Sequence, residues 1–230
     1  MLFRSEALNL RMDRATSPWN MKAAERALTT AFSSNSERAL LDVLKENTFL
    51  FAELFSRQFG VQPVFHEVSF GGRHTCDFLW LNDNSDGPEW VLVEVEKPSI
   101  RLFKKNDDPT ADLIHGIEQV KSWNRYFDEN KDEKRRIFGA VAKFRLVLVA
   151  GTEDDWSSEA AHRWRMHHNR NDQVEIRTST VFERALIRCK QAPHDFWSFA
   201  EHPRTRSSRE LESYWKGYGY MDDFVKWQFH

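Results

Sequence analysis

Apolar and polar positions change period along this chain, and the changes mark its elements. "MKAAERALTTAF" carries apolar residues at helical spacing before the break "SSNS", which predicts a short amphipathic helix. From Ser36 to Phe55 the residues Leu40, Leu41, Leu44, Phe51, Leu54 and Phe55 recur at helical intervals and predict one long helix. Ser34 and Glu37 stand at capping-box spacing at its start. After Gly60 the period drops to two. "VQPVFHEVSF", "HTCDFLWL" and "EWVLVEVEK" are rich in β-branched and aromatic residues, and the turn signals "GGR" and "NDNSDGP" separate them. An antiparallel meander of three strands is expected.

Pro98 closes the third strand and a basic loop, "SIRLFKKNDDPT", follows. Leu113, Ile117, Val120, Trp123 and Phe127 then repeat as on a helix, and "ENKDEKRR" at 129–136 reads as a solvated loop. "FRLVLVAG" is the most apolar short run and predicts a fully buried strand. Helical "SSEAAHRWRMHHNR", the strand "QVEIRT" and the helix "VFERALIRCK" come next. The order αβββαβαβα predicts an α/β protein with a mixed central sheet flanked by helices. Residues 1–35 read as an N-terminal flank with a short helix, 36–190 as the domain, and 191–230 as a tail. That tail carries Phe196, Trp197, Phe199, Tyr214, Trp215, Tyr218, Tyr220, Phe224, Trp227 and Phe229, so it is expected to pack on the domain or on a second copy.

Composition narrows the function classes. A formal net charge of −2 excludes a global basic field, so nucleic-acid binding would rest on local clusters of Lys and Arg. Two cysteines, Cys76 and Cys189, are too few for a disulfide framework or a thiolate zinc site and suit a reducing compartment. No apolar run approaches the ~20 residues that span a bilayer, and the N-terminal stretch lacks the apolar core of a secretion signal. A cytoplasmic protein with no membrane partner is expected.

The candidate chemistry is acidic. Side chains alternate along a strand, so Glu94 and Glu96 share the face of Trp90 and Leu92, while Lys97 falls on the other face with Val95. In the preceding strand Asp77 aligns with Leu79 and Leu81, and a hairpin closed through 82–88 brings it beside Glu94. Cys76 falls out of phase with Asp77, on the face of Phe78 and Trp80, where core packing accounts for it. Converging carboxylates repel unless protons or a cation neutralise them, and hard oxygen ligands suit Mg2+ or Mn2+. A metal so held supports phosphodiester hydrolysis. The other open reading has these acids exposed at a rim or paired with Arg73, Lys97 or Arg101.

The helix, the meander with Asp77, the acidic third strand and the helix bearing Gln119 resemble the core of PD-(D/E)xK nucleases. More specifically, "DFLW", "VLVEVEKPSIRLF", "PTADLIHGIEQVKSWNRYF", "RLVLVAG" and "VEIRTSTVFERAL" resemble the nuclease domain of Shedu anti-phage defence proteins over roughly residues 36–190. The resemblance implies a restriction-endonuclease-like fold and a metal-dependent DNA endonuclease or nickase that self-assembles, with a tetramer as the expected homo-oligomer. It matches Asp77 to the motif aspartate, Glu94 to the acid of the (D/E)xK element and Gln119 to the glutamine of the following helix. Glu96 falls where the pattern usually has lysine, giving an ExE variant in which Glu96 serves as a third metal ligand or a general base.

Accessory candidates are Lys97, if a bulge before Pro98 re-aims it, His115, and Glu37, a metal ligand in many nucleases of this fold but already explained here as a capping residue. His66 fits a half-buried strand face. Arg101, Lys104 and Lys105, and Arg163, Arg165 and Arg170 with nearby histidines, form two basic clusters suited to DNA phosphate or, equally, to a solvated face. Two rival functions stay open: a catalytically silent nucleic-acid-binding or scaffolding module of the same fold, and a nuclease directed at RNA.

Overall fold

The computed structural model describes residues 17–227, so residues 1–16 of the expected flank and Phe229 of the tail lie outside the described residues. The chain opens with α1 (Met21–Ser33) and α2 (Glu37–Glu46). Ser36, not Ser34, caps α2: its hydroxyl accepts from the amide of Ala39 at 3.2 Å. Glu37 is therefore the first helical residue and not the partner of a capping box. The long helix expected to Phe55 also breaks, because Asn47 leaves helical geometry and Thr48–Glu53 continues as a 3-10 turn. A tertiary anchor holds this break. The Thr48 amide and hydroxyl donate to the carbonyls of Pro203 and His202 at 3.2 and 2.6 Å.

The meander forms as expected, from β1 (Phe65–Phe70), β2 (His74–Asn84) and β3 (Gly87–Val95). After it come α3 (Ala111–Glu129), α4 (Lys131–Phe138), β4 (Lys143–Val149), α5 (Glu159–Asn171), β5 (Val174–Arg177) and α6 (Thr180–Gln191). The charge run read as a loop is α4. Asp132 and Glu133 sit in its first turn and Arg135 and Arg136 in its last, the order the helix dipole favours, while Ile137 and Phe138 bury its end.

A mixed sheet of six strands runs β5-β4-β3-β2-β1-β6, where β6 (Arg206–Ser207) pairs parallel to β1. β3, β4 and β5 are mutually parallel, and β1, β2 and β3 antiparallel. Each face has its own core. Phe78, Trp80, Val91, Val93 and Val95 pack with Phe51 and Phe182 on one side. Leu79, Leu81, Trp90 and Leu92 pack with Ile117, Trp123 and Leu148 on the other. With both faces of β3 buried, a one-residue slip would drive Glu94 into the cluster around Phe51, and the cost of stranding a carboxylate there locks the register.

Alternation fails at one place. Cys76 lies in the core with Leu79 and Leu81, opposite the one that holds Phe78, so the pleat of β2 is interrupted at Asp77. The partner strand is irregular at the facing position, where Glu67 has φ +50°. Cys76 is therefore a core residue, as expected, but on the other side of the sheet.

The tail packs on its own chain through α7 (Trp197–Ala200), α8 (Leu211–Lys216) and α9 (Gly219–Trp227). Phe196, Phe199, Leu211 and Met221 are buried, and Tyr214 donates to Gln62 at 2.6 Å. No helix among the described residues is long and apolar enough to cross a membrane.

Candidate functional site

β3 ends with two carboxylates on the face covered by α3. Alternation with Trp90 and Leu92 directs Glu94 there, and Gln119 Nε2 of α3 donates a hydrogen bond to Glu94 Oε1. The amide of Glu96 bonds to Val149 O at 2.9 Å, which keeps the chain in the sheet one residue past β3. Gly116 makes room for the Glu96 side chain. A Cβ at that helix position would stand 3.1 Å from Glu96 Oε1 and 3.3 Å from Leu148.

Asp77 joins them from β2. The β2–β3 ladder ends at the pair Phe78 and Val93, so Asp77 and Glu94 occupy the next facing positions. The side chain replaces the missing ladder bond, and Asp77 Oδ2 accepts from the amide of Val95 at 2.8 Å. Glu94 Oε2 is buried without a hydrogen-bond partner.

Both readings of these acids as ordinary surface or paired groups fail. Among the described residues, none of the three carboxylates forms an ion pair. Lys97 and Arg73 are exposed, and Arg101 donates to the carbonyl of Phe103. Lys45, whose charge acts on Asp77, is engaged by Glu67 at 2.7 Å.

The electrostatic consequence is a raised affinity for protons. Burial, then the charges of Glu37 and Glu96, outweigh the Val95 amide and push Asp77 up to about 7. Burial, then the charges of Asp77, Glu96 and Glu37, outweigh the pull of the Asp77 backbone amide and push Glu94 up to about 9. Glu96 is also raised, by burial and by Glu37, with His115 and Lys97 pulling the other way. The thiol of Cys76 beside the pair is held well above its ordinary range by burial, then by Glu94 and Asp77, and stays protonated.

The structure thus gathers Asp77, Glu94, Glu96 and Gln119, and it adds Glu37, whose charge acts on all three acids from the N-terminus of α2. The sequence signal for Glu37 was masked by the cap assigned to Ser34. Gly116 carried no signal at all, because its role is a close approach between distant segments. His115 is exposed on α3 near Glu96, and His66 bonds to Thr205 at 2.8 Å on the half-buried face expected of it.

The basic clusters do not join this group. Arg101, Lys104 and Lys105 are exposed on the loop between β3 and α3. On α5, Arg163 and Arg170 are exposed, Arg163 pairing with Glu159 at 3.2 Å, while Arg165 is half-buried with its guanidinium 5.2 Å from the centre of the Trp156 ring.

Carboxylate oxygens of Asp77, Glu94 and Glu96 are the donors that meet at the end of β3, the type that Mg2+ and Mn2+ prefer. Among the described residues no three His, Cys, Asp or Glu side chains converge as ligands of one ion. Magnesium ordinarily takes only one or two carboxylates, with water and substrate oxygens completing its shell, so Asp77 and Glu94 could hold it as a pair.

Comparison with curated proteins finds no match to this chain. Against family profiles, the one described as Shedu protein SduA, C-terminal, matches residues 34–180, from the turn before α2 to the first residue of α6. With more than half its length in that match, the chain belongs to the Shedu family.

Proposed function

We propose that this chain is a metal-dependent DNA endonuclease or nickase with a restriction-endonuclease-like core, cleaving phosphodiester bonds in anti-phage defence. One observation supports this reading above the others: the Glu94 Oε2 atom, buried and without a hydrogen-bond partner beside the half-buried carboxylate of Asp77. An unsatisfied buried acceptor costs about 1–3 kcal/mol, a cost with no structural return here. A cation would remove it.

Mg2+ or Mn2+ held by Asp77 and Glu94 would polarise a phosphoryl oxygen and acidify a bound water. The chain's own residues divide the remaining work. The Val95 amide fixes Asp77, and Gln119 fixes one oxygen of Glu94, leaving the other to a ligand. Glu96, with its raised affinity for a proton, would take one from the attacking water in the place of the usual lysine. Exposed Lys97 stays outside the chemistry. Assembly into a homo-oligomer belongs to the same reading, and light scattering of the purified chain tests it.

The decisive experiment incubates the protein with supercoiled plasmid, linear DNA and RNA, with and without Mg2+ or Mn2+, beside Asp77→Asn and Glu94→Gln. Metal-dependent DNA cleavage lost in both variants is expected. DNA binding with no cleavage under any metal would instead assign the silent binding module, and cleavage confined to RNA would reassign the substrate.

A further inference from the structure

A second charged site lies at the far edge of the sheet. Arg165 of α5, Arg177 at the end of β5 and Arg184 of α6 line one cleft of about 230 Å³, together with Glu153, Asn169 and Thr178. Three guanidinium groups thus line a cleft whose wall holds one carboxylate, Glu153. Glu153 is already divided, accepting from Thr178 at 2.9 Å and from Arg184 at 3.3 Å. Arg177 spends its donors on Glu175 at 3.0 Å and on the carbonyl of Glu53 at 3.1 Å.

Arg165 is the odd member. Among the described residues it forms no hydrogen bond or ion pair, and its one specific contact is the face of Trp156. Stacking on an indole fixes the plane of a guanidinium while leaving its N–H edge free, the arrangement that suits bidentate recognition of an oxyanion. Asn169 closes one wall by bonding both backbone groups of Ile176, at 2.8 and 3.0 Å. These two bonds tie α5 to the edge strand beside the cleft.

The position adds to the argument. In the parallel ladder Glu94 aligns with Leu148 of β4 and Leu148 with Ile176 of β5. The acidic group and the arginine cleft therefore stand at the same, carboxyl-terminal end of the strands, about 10 Å apart at the backbone for two strand spacings. Ligands of open α/β sheets gather at that end.

We infer that the cleft of Arg165, Arg177 and Arg184 is a phosphate-binding site, taking a backbone phosphate of a nucleic-acid strand. Glu153 is its internal competitor and yields Arg184 when the phosphate enters. The inference extends the nuclease reading, and its test needs neither metal nor cleavage.

Binding is measured on the full chain in EDTA, by fluorescence anisotropy with a DNA oligonucleotide lacking terminal phosphates, the same oligonucleotide with a 5′-phosphate, and by calorimetry with pyrophosphate. Arg165→Ala and Arg184→Ala are each expected to weaken the unphosphorylated oligonucleotide about tenfold and to lower the salt slope by about one. Glu153→Gln should tighten it several-fold, and Lys190→Ala, on the exposed face of α6, should not change it. Thermal melts confirm that each variant is folded, and Arg184→Ala keeps the test valid if the loss of Arg165 stacking unfolds the chain. A dependence that appears only with the 5′-phosphate or pyrophosphate would overturn the assignment to a backbone phosphate. If no phosphate ligand responds to either arginine in folded variants, the inference is overturned. A binding effect without any metal-dependent cleavage would retire the nuclease reading and leave this one standing.

Discussion

Two glutamates at opposite ends of β3 meet opposite fates. Glu89 is buried, yet it accepts from Asn82 at 2.9 Å and pairs with Lys143 at 2.9 Å, and these partners hold its carboxyl below the usual range despite burial. Glu94 has Gln119 on Oε1, no partner of good hydrogen-bond geometry on Oε2, and Asp77 beside it, so burial and repulsion carry it up to about 9. One strand thus shows both ways of placing a carboxylate in a core. Glu89 is complete within the chain. Glu94 requires something from outside it, a proton or a cation.

Removing each carboxyl charge in turn breaks this comparison most sharply. Glu94→Gln should abolish metal-dependent cleavage by at least ~100-fold while leaving the melting temperature at pH 8 equal or higher, since the group it removes is already protonated. Glu89→Ala should do the reverse, costing about 1–3 kcal/mol of stability through its lost hydrogen bonds and leaving the turnover of the folded fraction within about twofold. Cleavage assays with denaturant melts on both variants decide it. A Glu94→Gln enzyme of normal rate would end the nuclease proposal.

Acidity separates the two ends next. Asp77 and Glu94 bind protons more tightly folded than unfolded, where carboxylates titrate near 4. The stability they lend is fully present below about pH 4 and is lost as pH rises through about 7 and then about 9. Glu89 acts in the opposite sense: its contribution is present above the unfolded value and lost as pH falls. Metal-free protein should therefore lose stability from about pH 4 upward, through both groups to about pH 7 and through Glu94 alone to about pH 9, by at most about 1.4 kcal/mol per pH unit for each titrating group. Glu94→Gln should flatten that limb, and Mn2+ should bind more tightly along it, because the ion displaces those protons. Calorimetric melts across pH, in EDTA and in Mn2+, measure both.

A smaller change sharpens the role of Glu96. Gly116→Ala gains roughly 1 kcal/mol of helix propensity but brings a methyl to 3.1 Å from Glu96 Oε1, so the carboxylate must shift by a few tenths of an ångström. The melting temperature should move by only a few degrees while cleavage falls several-fold. An unchanged rate would mean that the placement of Glu96 does not matter.

The strands of this site were readable because their period is two and both faces of β3 are apolar, which fixed the side on which Glu94 and Glu96 emerge. Reading stopped where the period broke. At Asp77 the pleat is interrupted, so the face assigned to Cys76 was wrong although Asp77 did reach Glu94. Charge hid helix α4, whose charged pairs run along the helix itself, as Glu133 and Arg136 do at 2.9 Å. Glu37 and Arg165 depended on tertiary neighbours: one on the cap moving to Ser36, the other on Trp156 and on arginines from β5 and α6. Local spacing contains none of these meetings.

Lys97 gives the finest test, since it decides between two neighbouring candidates for one role. It is exposed, whereas Glu96 is half-buried beside Gly116 with its proton affinity raised. If Glu96 assists the attacking water, Lys97→Ala removes only a solvated charge and should change cleavage by less than about twofold, with a slight fall in DNA affinity that vanishes at high salt. Glu96→Gln should lower kcat and remove the rise of rate with pH, leaving substrate affinity intact. Were Lys97→Ala to cost tenfold in kcat at saturating metal, the strand would have to untwist before Pro98 during turnover, and the lysine would take back the place that Glu96 holds in the resting fold.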